Sequence, residues 1–176
     1  MAYEKNTVNT GLSLQVYASD TIPIPHLGLT PVTGTTTGAA TNKLIDSNAD
    51  FINSGVTVGS IVYQEGTGVA TVTAIDSATT LSLSANIMGA PPKDYTIYLS
   101  DNTVPKSSEG CLLYVGSNIA TMTVDDSFVD VKVKTVAGNI VTFWKFPVGN
   151  CLPVQVVQLY STGTGLNQQN NCIAIW

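Results

Sequence analysis

The chain has 176 residues and a formal net charge of −5, and it is 44% hydrophobic but only 11% charged. It contains no arginine, and its few lysines are scattered, whereas a protein that tracks phosphates needs clustered Lys and Arg. The composition therefore argues against nucleic-acid binding. Charge normally keeps a protein soluble and unassociated. So low a charge content indicates either that much of the surface is buried against neighbouring subunits, which is favoured, or that the exterior is nearly neutral.

Membrane insertion and secretion are not predicted either. No stretch approaches the length of a membrane-spanning helix, and Met1–Lys5 does not lead into a signal-peptide core. We therefore expect synthesis in a cytoplasm. Cys111, Cys151 and Cys172 each stand beside apolar residues, which favours buried thiols in strands over a disulfide or a metal site.

Short runs rich in Thr, Val and Ser, separated by Gly, Pro or Asn-Asp-Ser clusters, predict an all-β fold. Leu12–Ala18 alternates between apolar and polar residues and is the first predicted strand. A stretch of small residues, 33–41, then resembles a linker. A second polar stretch, 101–109, marks the end of the middle region.

The middle region is predicted to be a small module inserted into a host domain. Five strand-like runs joined by short turns suit a small closed barrel, which has no open edges. We assign residues 36–100 to this five-stranded β-barrel, and residues 1–35 plus 101–176 to a β-sandwich host domain that docks and oligomerises. The five runs are Lys43–Asp46, Val56–Tyr63, Val69–Ile75, Thr80–Ser84 and Tyr95–Leu99.

The last third of the chain reads as a series of strands. Val129–Val133 alternates and predicts a half-buried strand with a solvated face. Ile140–Trp144 and Pro153–Tyr160 are apolar on both faces, so they should be central strands, or strands with one face in the core and one against a partner. Ile173–Trp176 is predicted to be a strand that pairs within the fold or with a neighbouring subunit.

The search for catalytic groups is negative. The single histidine, His26, lies between prolines and is expected to be a surface loop residue, not a general base. No Gly-x-Ser-x-Gly sequence is present. Gly66–Gly68 and Gly163–Gly165 precede no helix, so they indicate hairpin turns and not phosphate loops. We predict that the chain is not an enzyme and assign no catalytic or cofactor-binding residue.

Asp46–Asp50 matches the opening of a calcium-binding loop. However, Phe51 stands where such a loop needs Gly, and Thr57 stands where it needs a bidentate Glu. Asp, Ser and Asn also favour tight turns without an ion. We therefore predict a turn and no metal site. Asp125–Asp126 is expected to solvate a loop, because adjacent carboxylates in a strand would point to opposite faces.

Three aromatic residues stand close together in the predicted strand region: Phe143, Trp144 and Phe146. They could form a platform for stacking sugars, as in a carbohydrate-binding module. At strand spacing beside valines, a role in the core or between subunits is favoured.

An ordered series of segments in the host domain resembles the spike-base proteins on the heads of tailed phages and gene transfer agents. The most specific part is Pro147–Val157, followed by Ser161–Gly165 and the apolar end Ile173–Trp176. The other segments are Ser19–Pro23, Leu113–Gly116 and Val131–Phe143. Within the insert, Asn42–Phe51, Gly55–Tyr63 and Ala70–Leu83 are similar to small β modules common in phage structural proteins.

The resemblance implies a non-enzymatic virion component that is assembled in the host cytoplasm. The function expected first is a protein on the capsid exterior, a decoration or cement protein or a spike or fibre base, that binds the major capsid protein or other virion proteins and forms homo-oligomers. Two alternatives stay open: a tail, baseplate or fibre-associated structural protein, and a carbohydrate-binding module used in attachment. No cofactor, nucleic acid or membrane is expected as a partner.

Overall fold

The computed structural model describes residues 13–25, 31–100, 110–117, 127–165 and 172–176. The chain divides into two compact units: unit 1 comprises residues 1–24 and 106–176, and unit 2 comprises residues 25–105. Every regular element in the described residues is a β-strand, and all strand pairs are antiparallel. The predicted all-β class is therefore confirmed.

Unit 1 contains a six-stranded sheet with the order β1-β12-β8-β11-β9-β10. Its strands are β1 (Ser13–Val16), β8 (Cys111–Val115), β9 (Phe128–Thr135), β10 (Ile140–Pro147), β11 (Asn150–Leu159) and β12 (Cys172–Ile175). Strand β11 is long enough to pair with β8 along its first part and with β9 along its last part. Beyond the end of β8, the segment after β1 covers the free edge of β11, where Ser19 N donates to Leu159 O and Ile24 N donates to Val157 O.

One face of this sheet forms the core of unit 1. Its buried residues are Val16, Cys111, Leu113, Val115, Val131, Val133, Leu152, Val156, Leu159, Cys172 and Ala174. They come from strands that the sequence assigned to a β-sandwich, and here these strands share one continuous sheet and one core. The alternation predicted for Val129–Val133 is found in β9, where Val131 and Val133 are buried.

The apolar end of the chain is a paired strand, as predicted. Strand β12 lies between β1 and β8 and forms an antiparallel ladder with each of them. Ala174 and Cys172 point into the core, while Ile173 points away from it.

The two strands expected to be central, β10 and β11, occupy different places in the sheet. Strand β11 is central, between β8 and β9, but β10 lies at the end of the sheet order, so a central position for Ile140–Trp144 is wrong. Apolar residues on both faces of β10 are partly open to solvent because nothing among the described strands pairs with its outer edge.

Unit 2 is also built on six strands, in the order β2-β7-β4-β5-β6-β3. They are β2 (Val32–Thr35), β3 (Lys43–Ile45), β4 (Ile61–Gln64), β5 (Gly68–Ser77), β6 (Thr80–Leu83) and β7 (Asp94–Tyr98). The two ends of the sheet approach each other: directly after β2, Thr37 N and Gly38 N donate to Ile45 O of β3. The sheet thus curls into a small barrel around its own apolar core.

The predicted barrel boundary needs correction at its start. Residues 32–35 were assigned to the host domain and its linker, yet they form β2, pair with β7 and belong to unit 2. The barrel therefore has the five predicted strands plus β2. Val56–Ser60 was expected to be the first part of a strand, but it is a turn, and β4 begins at Ile61.

Candidate functional site

The most prominent exposed apolar surface of unit 1 lies on β10 and the adjoining end of β9. Trp144 is 74% exposed, Ile140 57%, Phe128 51% and Val141 37%. We call these four residues the β10 surface; Ile140 and Trp144 lie on the outward face of β10, and Val141 lies on the opposite face. Because soluble monomers usually scatter such side chains singly, a group of large apolar side chains on one hairpin indicates a contact surface.

A β-bulge at Trp144 and Lys145 interrupts β10 and returns Phe146 to the core side of the sheet. The register between β9 and β10 shifts between the pairs Phe143–Val131 and Phe146–Val129, which leaves one extra residue on β10. Phe143 and Phe146 both pack against the core, with ring centroids 6.1 Å apart in an edge-on arrangement. Trp144 lies within the bulge and remains exposed.

The bulge is held by a specific polar contact. Lys145 adopts a positive φ of 48°, which is unusual for a residue with a side chain. Asp130 Oδ1 of β9 accepts a hydrogen bond of 2.8 Å from the Lys145 amide. This carboxylate satisfies the amide that the bulge removes from the ladder, so the neighbouring strand stabilises the bulge.

Lysines lie beside the β10 surface on its outward face. Val131 and Val133 of β9 point into the core, so Lys132 and Lys134 lie on the opposite face, across from Thr142 and Ile140. Lys132 Nζ lies 5.3 Å from the ring centroid of Tyr160, a cation–π contact.

The sequence assigned the three aromatic residues of β10 to the core or to a contact between subunits. For Phe143 and Phe146 the core role is found, whereas for Trp144 it is wrong, because Trp144 follows the core-facing Phe143 and alternation turns it outward. The three rings therefore do not form one platform: two point inward and one points outward. Trp144 alone is available to a partner or a ligand.

The Asp46–Asp50 segment folds as a turn whose carboxylates have partners within the chain. The buried Asp46 accepts a 2.7 Å hydrogen bond from the Tyr95 hydroxyl and one of 2.9 Å from the Asn48 amide. Asp50 instead accepts from the Asn53 amide, at 3.1 Å. Within the described ranges, no group of three or more His, Cys, Asp or Glu side chains is placed to hold a metal ion.

Burial and the Asp46 carboxylate together raise the pKa of Tyr95 far above its ordinary value. His26 and Asp125–Asp126 lie outside the described residues. No helix in the described part of the chain has the length and apolarity needed to cross a membrane.

All three cysteines are free thiols, and two of them are buried as predicted. Burial raises the pKa of Cys111 and of Cys172 to about 12. Cys151 is exposed, so its expected burial is wrong. On β11 its neighbour Leu152 takes the core-facing position, and alternation therefore turns Cys151 outward.

A polar clamp in unit 1 had no signal in the sequence analysis. Asp20 accepts hydrogen bonds from the Thr162 amide at 2.9 Å, the Thr162 hydroxyl at 2.7 Å and the Ser161 hydroxyl at 2.8 Å. These bonds, led by that from the Thr162 amide, lower the pKa of Asp20 to about 2. Gln158 Nε2 adds a 2.9 Å bond to Ser19 O. Both contacts join residues that are distant in sequence, and they stabilise the fold of unit 1.

Comparisons of the chain with models of protein families, with curated proteins and with solved structures give no match. The β10 surface is therefore interpreted from its own chemistry. It offers exposed apolar side chains, an open strand edge and an indole ring, which together suit contact with a protein or with a flat apolar ligand face.

Proposed function

We propose that the chain is a non-enzymatic structural protein of a tailed-phage virion, located on the capsid exterior. There it binds the major capsid protein and further copies of itself, as a decoration or cement protein or as the base of a spike or fibre. The observation that carries this proposal is the β10 surface, four exposed apolar side chains on one hairpin, in a chain with only 11% charged residues.

The sequence resemblance supports the same proposal. Pro147–Val157 covers the end of β10 and most of β11, and Val131–Phe143 covers most of the β9–β10 hairpin. The segments that resemble spike-base proteins therefore include the strands that carry the β10 surface.

Binding to capsids tests the proposal directly. The purified chain is mixed with capsids that lack it, and co-sedimentation is measured together with a reconstruction of the particles by electron microscopy. We expect saturable binding at fixed positions on the head. Failure to bind at micromolar concentration, or density only on the tail, would contradict the capsid assignment, and the second result would favour the tail or baseplate alternative.

Two matched variants show whether the β10 surface contributes. Ile140→Lys places a charge in the β10 surface, and Ile52→Lys places the same charge at a position of equal exposure, 58%, in unit 2. We expect Ile140→Lys to weaken assembly on capsids by about tenfold or more, because a desolvated lysine opposes an apolar contact. Ile52→Lys should bind like the wild type.

Carbohydrate binding is the second candidate, favoured by the exposed indole of Trp144. A sugar ring stacks on an exposed aromatic face. In a glycan array, binding that is lost in Trp144→Ala but retained in Ile140→Lys would support this function. Silence of the wild-type chain on the array would remove it.

A further inference from the structure

We propose that β10 pairs with β10 of a second copy about a two-fold axis, so that two six-stranded sheets join into one. The proposal names the contact by which copies associate. It rests on the proposed function only for the setting in which the contact is used, since the pairing is a property of the isolated chain.

The two sheets differ at their edges. In unit 2 the two end strands are bridged to each other after β2. In unit 1 the sheet of described strands ends at β1 and at β10, and β10, which spans Ile140–Pro147, pairs with β9 alone among those strands. An exposed, apolar strand edge is a template for pairing with another chain, and most proteins block such edges.

Successive residues of β10 direct their backbone hydrogen-bonding groups alternately to β9 and to the open edge. The hairpin closes with Thr135 N donating to Asn139 O, and hydrogen-bonded pairs then alternate along an antiparallel ladder. Val141 and Phe143 consequently bond to β9, while the backbone groups of Ile140 and Thr142 point to the open edge. A second antiparallel strand must therefore place its own edge-facing backbone N–H and C=O groups opposite those of Ile140 and Thr142.

Two copies of β10 also match each other's side chains when their edge-facing backbone groups are paired. Placing Thr142 opposite Thr142 of the second copy brings Ile140 opposite the second copy's Trp144, on the outward face. The same register brings Val141 opposite the second copy's Phe143 on the other face. Each apolar side chain then meets an apolar side chain, which is the pairing that stabilises antiparallel strands.

The two ends of β10 limit this register. At the C-terminal end the bulge turns the backbone at Lys145, whose amide is already bonded to Asp130, and Pro147 has no amide to donate. At the other end, the turn centred on Gly138 ends the strand. The available edge is therefore short, and a shift by two residues would leave Trp144 without an apolar partner.

The exposed area and the charges are compatible with a second copy. The four side chains of the β10 surface expose on the order of 400–500 Å² per copy, given the size of aromatic side chains. The pairing covers only the side chains of β10 itself, Ile140, Val141 and Trp144, because Phe128 lies on β9, away from the open edge. Two copies would therefore bury at most about 800 Å² of side-chain area, the size of a weak association. Lys132 of one copy and Lys132 of the other would be separated by three strand spacings, about 14 Å, which exceeds the screening length of about 8 Å at physiological salt.

The register is tested by cross-linking of single cysteines in a Cys151→Ser background, which removes the exposed thiol. Thr142→Cys places two thiols opposite each other across the axis, with Cα atoms about 5.5 Å apart, within reach of a disulfide or a short bifunctional reagent. Ile140→Cys is the matched control, because its two thiols would be about 13 Å apart along the strands. We expect rapid covalent dimers for Thr142→Cys only.

Association is measured on the isolated wild-type chain by analytical ultracentrifugation, without capsids. We expect a dimer whose dissociation constant rises by about tenfold or more in Ile140→Lys and is unchanged in Ile52→Lys, with circular dichroism confirming that both variants are folded. A wild-type monomer at about 100 μM, where even weak dimers form, or equal cross-linking of the two cysteine variants, would overturn the proposal. A dimer that does not bind capsids would leave the pairing intact and contradict the proposed function alone.

Discussion

The two units use the same number of antiparallel strands and differ in how their sheets end. In unit 2 the residues after β2 reach β3, so the sheet returns on itself and leaves little edge for another strand. In unit 1 the sheet ends at β1 and at β10, and none of the described strands pairs with the outer edge of β10, the strand that carries most of the β10 surface. A closed sheet stabilises its own module, whereas an open sheet can also bind a partner.

The closed unit is locked by a buried polar contact at its seam. Tyr95 of β7 donates to Asp46, which follows β3, and Gly34 of β2 lies against both side chains. The contact joins residues near β2, β3 and β7, the elements that close the barrel. Unit 1 has its corresponding polar contact, the Asp20 clamp, at an exposed position.

Thiol labelling should give the largest effect, and it reports on the core of unit 1 alone, because every cysteine lies in that unit. At pH 8 we expect Cys151 to react freely, and Cys111 and Cys172 to react slower by on the order of 10³-fold or more, since they must wait for unfolding. Mass spectrometry counts the labels over time. Rapid labelling of all three thiols would contradict the core of unit 1.

Gly34→Ala should cause the largest loss of stability. A Cβ at this position would collide with the Tyr95 hydroxyl and lie 2.8 Å from Asp46 Oδ2, so the substitution both overpacks the seam and disturbs its hydrogen bond. We expect the free energy of unfolding of unit 2 to fall by about 3 kcal/mol. Gly89→Ala, whose Cβ would come no closer than 3.9 Å to any side chain, is the control for thermal denaturation.

Tyr95→Phe removes the hydrogen bond without overpacking and should cost less, about 2 kcal/mol, because a buried carboxylate loses a donor. Tyr98→Phe is the control, because burial raises the pKa of Tyr98 without the hydrogen bond to a carboxylate that contributes at Tyr95. Urea unfolding followed by circular dichroism measures both variants. Equal stability of Tyr95→Phe and the wild type would show that the bond does not stabilise the seam.

The same tyrosine predicts a pH dependence. The folded chain holds the pKa of Tyr95 above its ordinary value of 10.0. The stabilisation is therefore fully present below pH 10 and is lost as the pH rises toward the folded pKa, because the unfolded chain releases its proton first. Tyr95→Phe should flatten the alkaline decline in stability. An unchanged decline would assign it to other groups.

Asp20→Asn should have the smallest effect, because the clamp is exposed to solvent. The pKa of Asp20 is about 2 in the folded chain against an ordinary 3.8, so its contribution is present above pH 3.8 and lost as the pH falls through about 2. We expect faster hydrogen exchange at the Thr162 amide, with global stability nearly unchanged. Asp50→Asn tests the corresponding exposed turn in unit 2, where hydrogen bonds from Asn53 lower the pKa of Asp50.

The sequence predicted the strands that alternate or that are continuously apolar. Strands β9, β11 and β12 were found close to their expected positions, because burial of one or both faces leaves a readable pattern. Strand β2 was missed because Val32–Thr35 contains Gly and Thr, the composition of a linker, and its pairing with β7 is a long-range contact.

The sequence identified the residue types of the candidate site, but not which of their side chains are exposed. Trp144 was assigned to the core or to a contact between subunits, and alternation after Phe143 turns it outward, whereas the inward position of Phe146 depends on one inserted residue in the ladder. The bulge needs the Asp130 carboxylate from the neighbouring strand, a contact that no local pattern reveals. Likewise, the position of β10 at the sheet end follows from topology and not from its own composition.

The pairing of β1 with β12 has a consequence for the order in which the chain can fold. Unit 2 is continuous in sequence, so during synthesis it can complete its sheet as soon as Asp94–Tyr98 has left the ribosome. Unit 1 must wait for Cys172–Ile175, which lies between its first strand and β8. Forming pairs so distant in sequence is slow, and domains generally fold as units during translation. The barrel is therefore expected to be finished first, while the strands of unit 1 still await their last partner.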